Sequence, residues 1–463
     1  MNDSALLGGR KTSTFRDRIL RASLWTFGGH VTTQLLRLIS NLIMTRLLLP
    51  RVFGVMSIVN VLLTGLNLVS DLGLGQGVIQ HRRGADPAYL NTAWTVQILR
   101  GVLIWLGALL IAAVLAVLDH YDLLPSSTAY SDPRLPALIA GISVNGLLGG
   151  LISTKVASAN RNLALGRLVQ IDIYSQSVAI VVMVIWAHFD ATAWALVAGA
   201  IVSSLTRLGL SHTILPGESN RLHWDRGAFR DIFGFGKWIF LTSILGFLAA
   251  NGDRVILGGL IDASSLGVYV IAAFMITATL QIFSKITNNV AFPALSEVAR
   301  DRPADLCQTY YKFRVPLDVS SLFATGFLFS AGEAVVRLLY NSRYQQAGHM
   351  LEILSLSLFE VRYSLVGTCM MALGKPRLLG PVLAVQLIAL LAIPAAFHAY
   401  GLDAALWVIS GSYLCTIPVT FYMKVTHGLV NLRRELLFLP CVPAGYAIGL
   451  CFDKLSHMLV LVR

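Results

Sequence analysis

The chain is short of charge. Of its 463 residues, 13% are Asp, Glu, Lys or Arg and 56% are hydrophobic, against about 25% charged in ordinary soluble domains. That scarcity excludes a soluble globular protein, which would leave too much apolar surface in water. Enzyme motifs are also missing. There is no G-x-x-x-x-G-K-[ST] phosphate loop, Gly236-Lys237-Trp238 being the nearest approach, so no ATP-driven engine is expected. H-E-x-x-H and G-x-S-x-G do not occur. Gly73-Leu74-Gly75-Gln76-Gly77 lies in an apolar run without a flanking strand, which argues against nucleotide binding. Cysteine is sparse: Cys307, Cys369, Cys415, Cys441 and Cys451 show no metal-ligand spacing and read as free thiols. Neither a metal nor a cofactor is expected.

What the chain does have is apolar runs of membrane-spanning length. They fall at roughly 23–45, 53–77, 91–118, 136–157, 166–187, 191–212, 236–259, 265–291, 316–337, 349–372, 378–399 and 402–423, with a shorter thirteenth at 436–452. Each of the twelve is long enough to cross a ~30 Å hydrocarbon core as a helix. Closed barrels need shorter, alternating segments, so the expected fold class is an all-α polytopic membrane protein. The net charge of +12 first suggests nucleic acid. However, the N-terminal arm and alternate loops (82–83, 155–167, 221–237, 300–314, 375–377, 424–434) hold 23 of the 36 Lys and Arg residues. By the positive-inside rule that is topology, with the N-terminus in the cytoplasm. Residues 1–21 carry no secretory h-region and read as a basic cytoplasmic arm, with Arg16, Arg18 and Arg21 placed to touch anionic lipid.

The sequence also repeats itself. At an offset of 213 residues the first two spans lie over the seventh and eighth: Trp25 on Trp238, Phe27 on Phe240, Gly54-Val55 on Gly267-Val268, Thr64 on Thr277. Six spans separate the copies, an even number, so both run in one direction. The expected architecture is two six-helix lobes about an axis along the membrane normal, facing a central cavity. The lobes are residues 22–212 and 236–430, joined by a cytoplasmic linker, 213–235, and followed by an extra apolar segment and tail, 431–463.

An ionisable group at the bilayer centre costs at least ~2.5–3.5 kcal/mol, so such groups mark a wet cavity or a partner. Span 1 carries His30, Gln34, Arg37, Asn41 and Thr45 at steps of three and four, one helix face. Span 2 has Asn60, Thr64, Asn67 and Asp71 on one face; span 8 has Thr277, Gln281, Ser284 and Asn288, with Lys285 beside them; span 7 has Asn251, Asp253 and Arg254. Polar stripes thus fall on the repeated pairs. Small polar residues can simply glue helices together, but that does not account for Arg37, Arg254 and Lys285, expected at mid-membrane. Three cations in a cavity point to an anionic substrate, with Gln34, Asn41 and Gln281 as further lining. Asp253, Asp71, Glu352 and Glu360 are the candidates for counter-ion or ion coupling. Asp253 is expected either to face Arg37 across the cavity or to pair within its own lobe. Glu352, Glu360 and Arg362 either line the cavity or pair together, and Asp172 pairs with Arg207 between spans 5 and 6.

The segment Leu47-Leu48-Leu49-Pro50-Arg51-Val52-Phe53-Gly54-Val55, followed by Asp71-Leu72-Gly73-Leu74, resembles the first two spans of the polysaccharide transporter family. This is the Wzx-type branch of the multidrug/oligosaccharidyl-lipid/polysaccharide (MOP) exporter superfamily. Phe292-Pro293-Ala294-Leu295-Ser296 and Ala372-Leu373-Gly374-Lys375-Pro376-Arg377 are similar to later family segments. The resemblance covers about residues 15–430. It implies two lobes in a V and a flippase in the bacterial inner membrane. The substrate it implies is an undecaprenyl-pyrophosphate-linked oligosaccharide for exopolysaccharide, capsule or O-antigen. The partners it implies are membrane lipids, a glycan polymerase and a chain-length regulator. By further resemblance to lipid II flippases, Arg37 and Arg254 would meet the pyrophosphate. Here the span-1 arginine has no adjacent acid, the acid–arginine pair being Asp253-Arg254 on span 7, so only the cationic cavity carries over. Two other readings stay open. A cation-coupled multidrug exporter of the same superfamily would favour acid-dominated lobes. A membrane glycan polymerase or ligase would carry a large periplasmic loop, whereas the longest here is about 119–135.

Overall fold

The computed structural model describes residues 15–70, 74, 78, 83–162, 164–431, 434–435 and 437–461; side chains of 15–27, 30, 69, 232–243 and 459–461 lie outside the description. Among the described residues there are helices and turns and no strand. The first lobe is built from α1 (Phe15–Leu47), α2 (Pro50–Val69), α3 (Pro87–His120), α4 (Leu135–Leu151), α5 (Lys155–Arg161), α6 (Leu165–Phe189) and α7 (Trp194–Thr213). The second is built from α8 (Arg226–Gly258), α9 (Ala263–Ile286), α10 (Phe292–Asp301), α11 (Leu306–Leu339), α12 (Gln346–Ser355), α13 (Val361–Ala372), α14 (Leu379–Leu390), α15 (Ile393–Tyr400), α16 (Leu402–Leu414) and α17 (Ile417–Thr426). A last helix, α18 (Cys441–Leu461), follows.

Nine runs of described residues are long and apolar enough to cross a membrane, ten when α4 and α5, bent by 59°, count as one. With α1 and α8, 33 residues each, the bundle reaches the expected twelve. Helix starts follow their local chemistry. Pro50 and Pro87 occupy first-turn positions, where the missing N–H costs nothing. Asp86, Asp225 and Asp262 accept hydrogen bonds from the exposed first-turn amides of α3, α8 and α9. The spans expected at 349–372, 378–399 and 402–423 are each interrupted, by a 3-10 turn at Leu356–Glu360 or beside Pro394 and Pro418.

The repeat is visible in the helix register. α2 starts at Pro50 and α9 at Ala263, 213 residues apart, and the two cross at the matched glycines. A Cβ on Gly54 would stand 1.8 Å from the Ala263 carbonyl oxygen, and one on Gly267 would stand 1.9 Å from that of Pro50. Backbone meets backbone, and only hydrogen fits. Gly267→Val should therefore separate the lobes at this crossing and destabilise by about 1–3 kcal/mol or more, read as a lower thermal midpoint of the purified protein. Gly246→Ala, whose Cβ would meet nothing within 4 Å, is the neutral control.

Lys/Arg-rich loops gather at one end of the bundle, here called the basic end. At the opposite, far end a single apolar core runs through both lobes, from Met44, Leu48 and Val55 to Leu257, Leu266, Val336 and Tyr344. At the basic end the cores are smaller: one in the second lobe around Leu295, Leu306 and Val366, one in the first around Ile171, and one in the first around Leu74 and Val78 that only the start of α8 joins, through Ala228. The lobes are thus fused at the far end and parted at the basic end, a V.

Three boundaries differ from the sequence reading. α1 is already helical at Phe15, within the expected arm. α8 starts at Arg226 instead of 236, because Asp225 caps it and Ala228 packs into the Leu74–Val78 cluster. The irregular connection is then 214–225, strapped to the first lobe. There Asn220 bonds Ser153 and Thr154, Arg221 N bonds Asn91, and Arg83 bonds Asp225 at 2.9 Å. That bond, with the amides of Ala228 and Gly227, holds the Asp225 carboxyl below its usual range. Finally, the short run at 436–452 is part of a 21-residue helix, about 31 Å long. It runs parallel to α11, with Gly445 and Gly449 against Phe323, Phe327 and Ser330. It continues past Asp453 and His457 because both find Arg337 on α11.

Candidate functional site

The polar stripes of α1 and α9 face each other across the V. Gln34 Nε2 donates to Gln281 Oε1 at 2.7 Å, from one lobe to the other. Two turns further on, Asn41 Oδ1 accepts from the Tyr340 hydroxyl at 3.0 Å. Still nearer the far end, Tyr344 donates to the Leu48 carbonyl at 3.1 Å and packs edge-on against Phe53. Ala129 N to Ile261 O, 2.9 Å, and the Tyr130 hydroxyl to Val255 O, 3.0 Å, add to this closure.

Arg37 lies between Gln34 and Asn41 on the same helix face, so it faces the seam between lobes. It is exposed, and among the described residues no carboxylate comes within ion-pair distance of it. Ten residues before the end of α1 puts it about 15 Å from that end, near mid-depth. In the first lobe, Ser57, Asn60, Gln176 and Ser203 line a cavity of about 340 Å³. One turn toward the basic end, Asp172 and Arg207 pair at 3.2 Å, as expected.

The other candidates do not join Arg37. Arg254 stands just before the last turn of α8, four residues before Gly258, about 6 Å from the helix end and not at mid-span. Its half-buried guanidinium leaves Nε without a hydrogen-bond partner. Asp253 accepts a short hydrogen bond from the Tyr269 hydroxyl of its own lobe, and its other oxygen is buried without a partner. Of the two expectations for this residue, pairing within its lobe is the one seen; Arg37 is not its partner here. Tyr413 stands within electrostatic range of Asp253, Arg254 and Glu360, so these form a group inside the second lobe. Lys285 is exposed in the last turn of α9, roughly 33 Å along the helix from Ala263, at the basic end and not at mid-membrane. Glu352 lies toward the far end beside Glu333 and His349, away from Glu360 and Arg362. Asp71 and the His30 side chain lie outside the described residues.

Sequence reasoning missed one constellation. Arg314, Asp318, Arg362, Lys424 and Glu435 form a buried ion cluster in the second lobe, none more than 6% exposed. Glu435 is its hub. It accepts from Arg314, from Lys424 and from the Tyr311 hydroxyl at 2.7 Å, while Arg362 reaches its backbone carbonyl at 2.5 Å. Asp318 sits 3.2 Å from Arg314 and 3.6 Å from Arg362. Tyr310, Tyr311 and Tyr363 offer ring faces to the cations. Arg314 and Lys424 count among the basic-loop charges in sequence, which hid them. The i, i+4 spacing of Arg314 and Asp318 was the available signal.

Two lobes of six spans, fused at one end and lined with polar stripes, define the class: the fold is that of the MOP-superfamily transporters. The solved structure of "Lipid II flippase MurJ, inward closed conformation" superposes with a TM-score of 0.71 over 96% of this chain and all of that one, at 11% identity. A multidrug resistance MATE family transporter of the MOP superfamily in its inward-facing conformation gives 0.61 over 86% and 94%, at 12% identity. The chain belongs to the polysaccharide biosynthesis protein family, whose profile matches residues 43–349. Curated relatives include the amylovoran biosynthesis protein AmsL of Erwinia amylovora, 25% identical over 60% of this chain and 69% of that one. The lipopolysaccharide biosynthesis protein WzxC of Escherichia coli K12 is 21% identical over 74% and 67%.

Proposed function

We propose that this protein is a flippase carrying a polyprenyl-pyrophosphate-linked oligosaccharide repeat unit across the bacterial inner membrane, for exopolysaccharide, capsule or O-antigen assembly. The observation that carries the reading is Arg37. It is a permanent cation at mid-depth, held between two bonds that cross the lobes, with no carboxylate among the described residues in ion-pair range. Such a charge is costly in a bilayer unless an anion or water meets it, and a pyrophosphate supplies oxygens for a bidentate grip. The amide and hydroxyl groups of Asn60, Gln176 and Ser203 suit a glycan, while the polyprenyl tail stays in lipid. Relatives named for amylovoran and lipopolysaccharide biosynthesis support the substrate class.

The basic end faces the cytoplasm, by the positive-inside rule, so the substrate enters there past Lys285. Breaking Gln34–Gln281 widens the V on that side. Breaking the Tyr340 and Tyr344 bonds opens the far end, where Arg254 would receive the pyrophosphate. Asp253 and Glu360, beside Tyr269 and Tyr413, are the carboxylates through which a coupling ion acts.

Proteoliposomes test this directly. A labelled polyprenyl-pyrophosphate oligosaccharide should become accessible to a membrane-impermeant oxidant only when the protein is present. Equal accessibility in protein-free vesicles, or with a protein lacking Arg37, would overturn the reading. The seam itself has a second test. With the five native cysteines replaced, Gln34→Cys/Gln281→Cys should cross-link on oxidation, stop flipping, and recover with reductant.

A further inference from the structure

At the far end of the second lobe, α11 and α12 cross with backbones in contact. A Cβ on Gly332 would lie 2.9 Å from the Gly348 carbonyl oxygen, and one on Gly348 would lie 2.5 Å from the Cα of Glu333. That close approach presses three donors together. Ligand atoms of Glu333, His349 and Glu352 all lie within 4.8 Å of one another. A fourth donor stands beside them: Asp403 Oδ2 is 3.5 Å from His349 Nε2.

The local charge is unbalanced. Glu333, Glu352, Asp403 and Asp453 surround the site, and Arg337 is the one permanent cation among the described residues in contact with them. Arg337 is shared, at 3.9 Å from Glu333, 4.0 Å from Asp453 and 2.9 Å from His457. Among the described residues Glu352 accepts from the Glu333 amide alone, at 3.2 Å. Two carboxylates driven together by a backbone crossing repel each other unless a cation lies between them.

We propose that Glu333, His349 and Glu352, with Asp403 as the fourth ligand, form a divalent metal site. An imidazole with carboxylates suits a borderline metal such as zinc(II), bound tetrahedrally at about 2.0–2.2 Å. Donors in such a shell are roughly 3.3 Å apart, so side-chain rotation of about 1.5 Å at these open positions closes it. In sequence only His349 and Glu352 stand at ligand spacing, three residues apart on α12; Glu333 and Asp403 come from two other helices. Its placement gives it a task. α11 and α12 are the two stems of the hairpin at 339–346, which carries Tyr340 and Tyr344, the hydroxyls that seal the far end. A metal joining the stems braces that hairpin.

The test uses the purified full-length protein in detergent, titrated with zinc(II) against a chromophoric chelator. One equivalent should bind saturably, and His349→Ala or Glu352→Gln should each weaken it by at least about 100-fold, beyond the 10–100-fold loss typical of outer-shell changes. Glu333→Gln checks the opposite stem, and unchanged thermal midpoints without metal show that the variants fold. Zinc should also slow amide exchange in 339–346. Absence of a saturable equivalent, or binding undiminished in the variants, overturns the site. Binding without slowed exchange overturns its bracing role. Tighter binding of calcium than of zinc, indifferent to His349→Ala, removes the imidazole from the ligand set.

Discussion

Arg37→Ala should abolish polymer export while the protein still inserts and accumulates normally. Two charge-assisted hydrogen bonds from one guanidinium are worth about 1.5–3 kcal/mol each, so their loss lowers transport by roughly two to four powers of ten. The fold does not depend on this side chain, which has no ion-pair partner among the described residues, and removing a mid-membrane charge relieves insertion cost. Arg37→Lys keeps the charge but not the fork, and recovers export in part. The measurement is surface polymer per cell at matched protein level, in a strain lacking the native copy. Full export by Arg37→Ala would remove the residue from the substrate path. Arg254→Ala should differ in kind. Standing near the far end, it leaves substrate loading at the basic end intact and slows release, so the variant retains lipid-linked substrate through purification where Arg37→Ala does not.

The largest loss of stability belongs to Glu435→Ala. The wild-type cluster sets three cations against two carboxylates in a space closed to water. Removing the hub leaves three against one, and breaking a buried pair by removing one partner costs about 3–5 kcal/mol. The connection between α17 and α18 loses its anchor, so α18 should come away from α11. Lower thermal midpoint and new protease cleavage between residues 426 and 441 would register this; an unchanged midpoint would show the cluster to be inert. The same hub sets a pH dependence. Burial by itself would raise the Glu435 carboxyl, but hydrogen bonds from Arg314 and Lys424 outweigh it and hold the group at about 2. A carboxyl lower in the folded than in the unfolded state, where it titrates near 4.3, stabilises fully above the unfolded value. That stability is lost as pH falls from about 4.5 toward 2. Acid should thus loosen the second lobe of the wild type in this window, and Glu435→Ala should lack that component.

Much of this was legible in the chain, for identifiable reasons. The 213-residue offset shows in sequence because both α2 and α9 need a glycine where their backbones touch. The seam shows because a wet helix face in a membrane stands out against hydrocarbon, so Gln34, Asn41 and Gln281 could be named before their partners were known. Depth was harder. Arg254 and Lys285 stand only five and six residues inside the expected span ends at 259 and 291, and the structure keeps both near helix ends, so a charge within an apolar run is not by itself a charge at mid-depth. Asp253 was matched against cations, yet its partner is a tyrosine one helix away, and a hydroxyl leaves no charge pattern to read. The ion cluster stayed hidden because its members are spread over positions 314 to 435, with only Arg314 and Asp318 sharing a helix. Two of them stand where positive-inside charges are expected.

The contact of Gly54 with Gly267 carries a meaning beyond packing. A residue touching its own counterpart across a two-fold axis is the mark of a symmetric dimer interface. In a six-span ancestor that paired with itself, one codon would have governed both sides of this crossing, and any larger side chain would have met its twin. Joining the two copies in one gene removed that constraint. Each half could then change alone, so that an arginine could settle in one lobe and a set of carboxylates in the other. The crossing itself kept both glycines, a surviving trace of the time when the two halves were the same molecule.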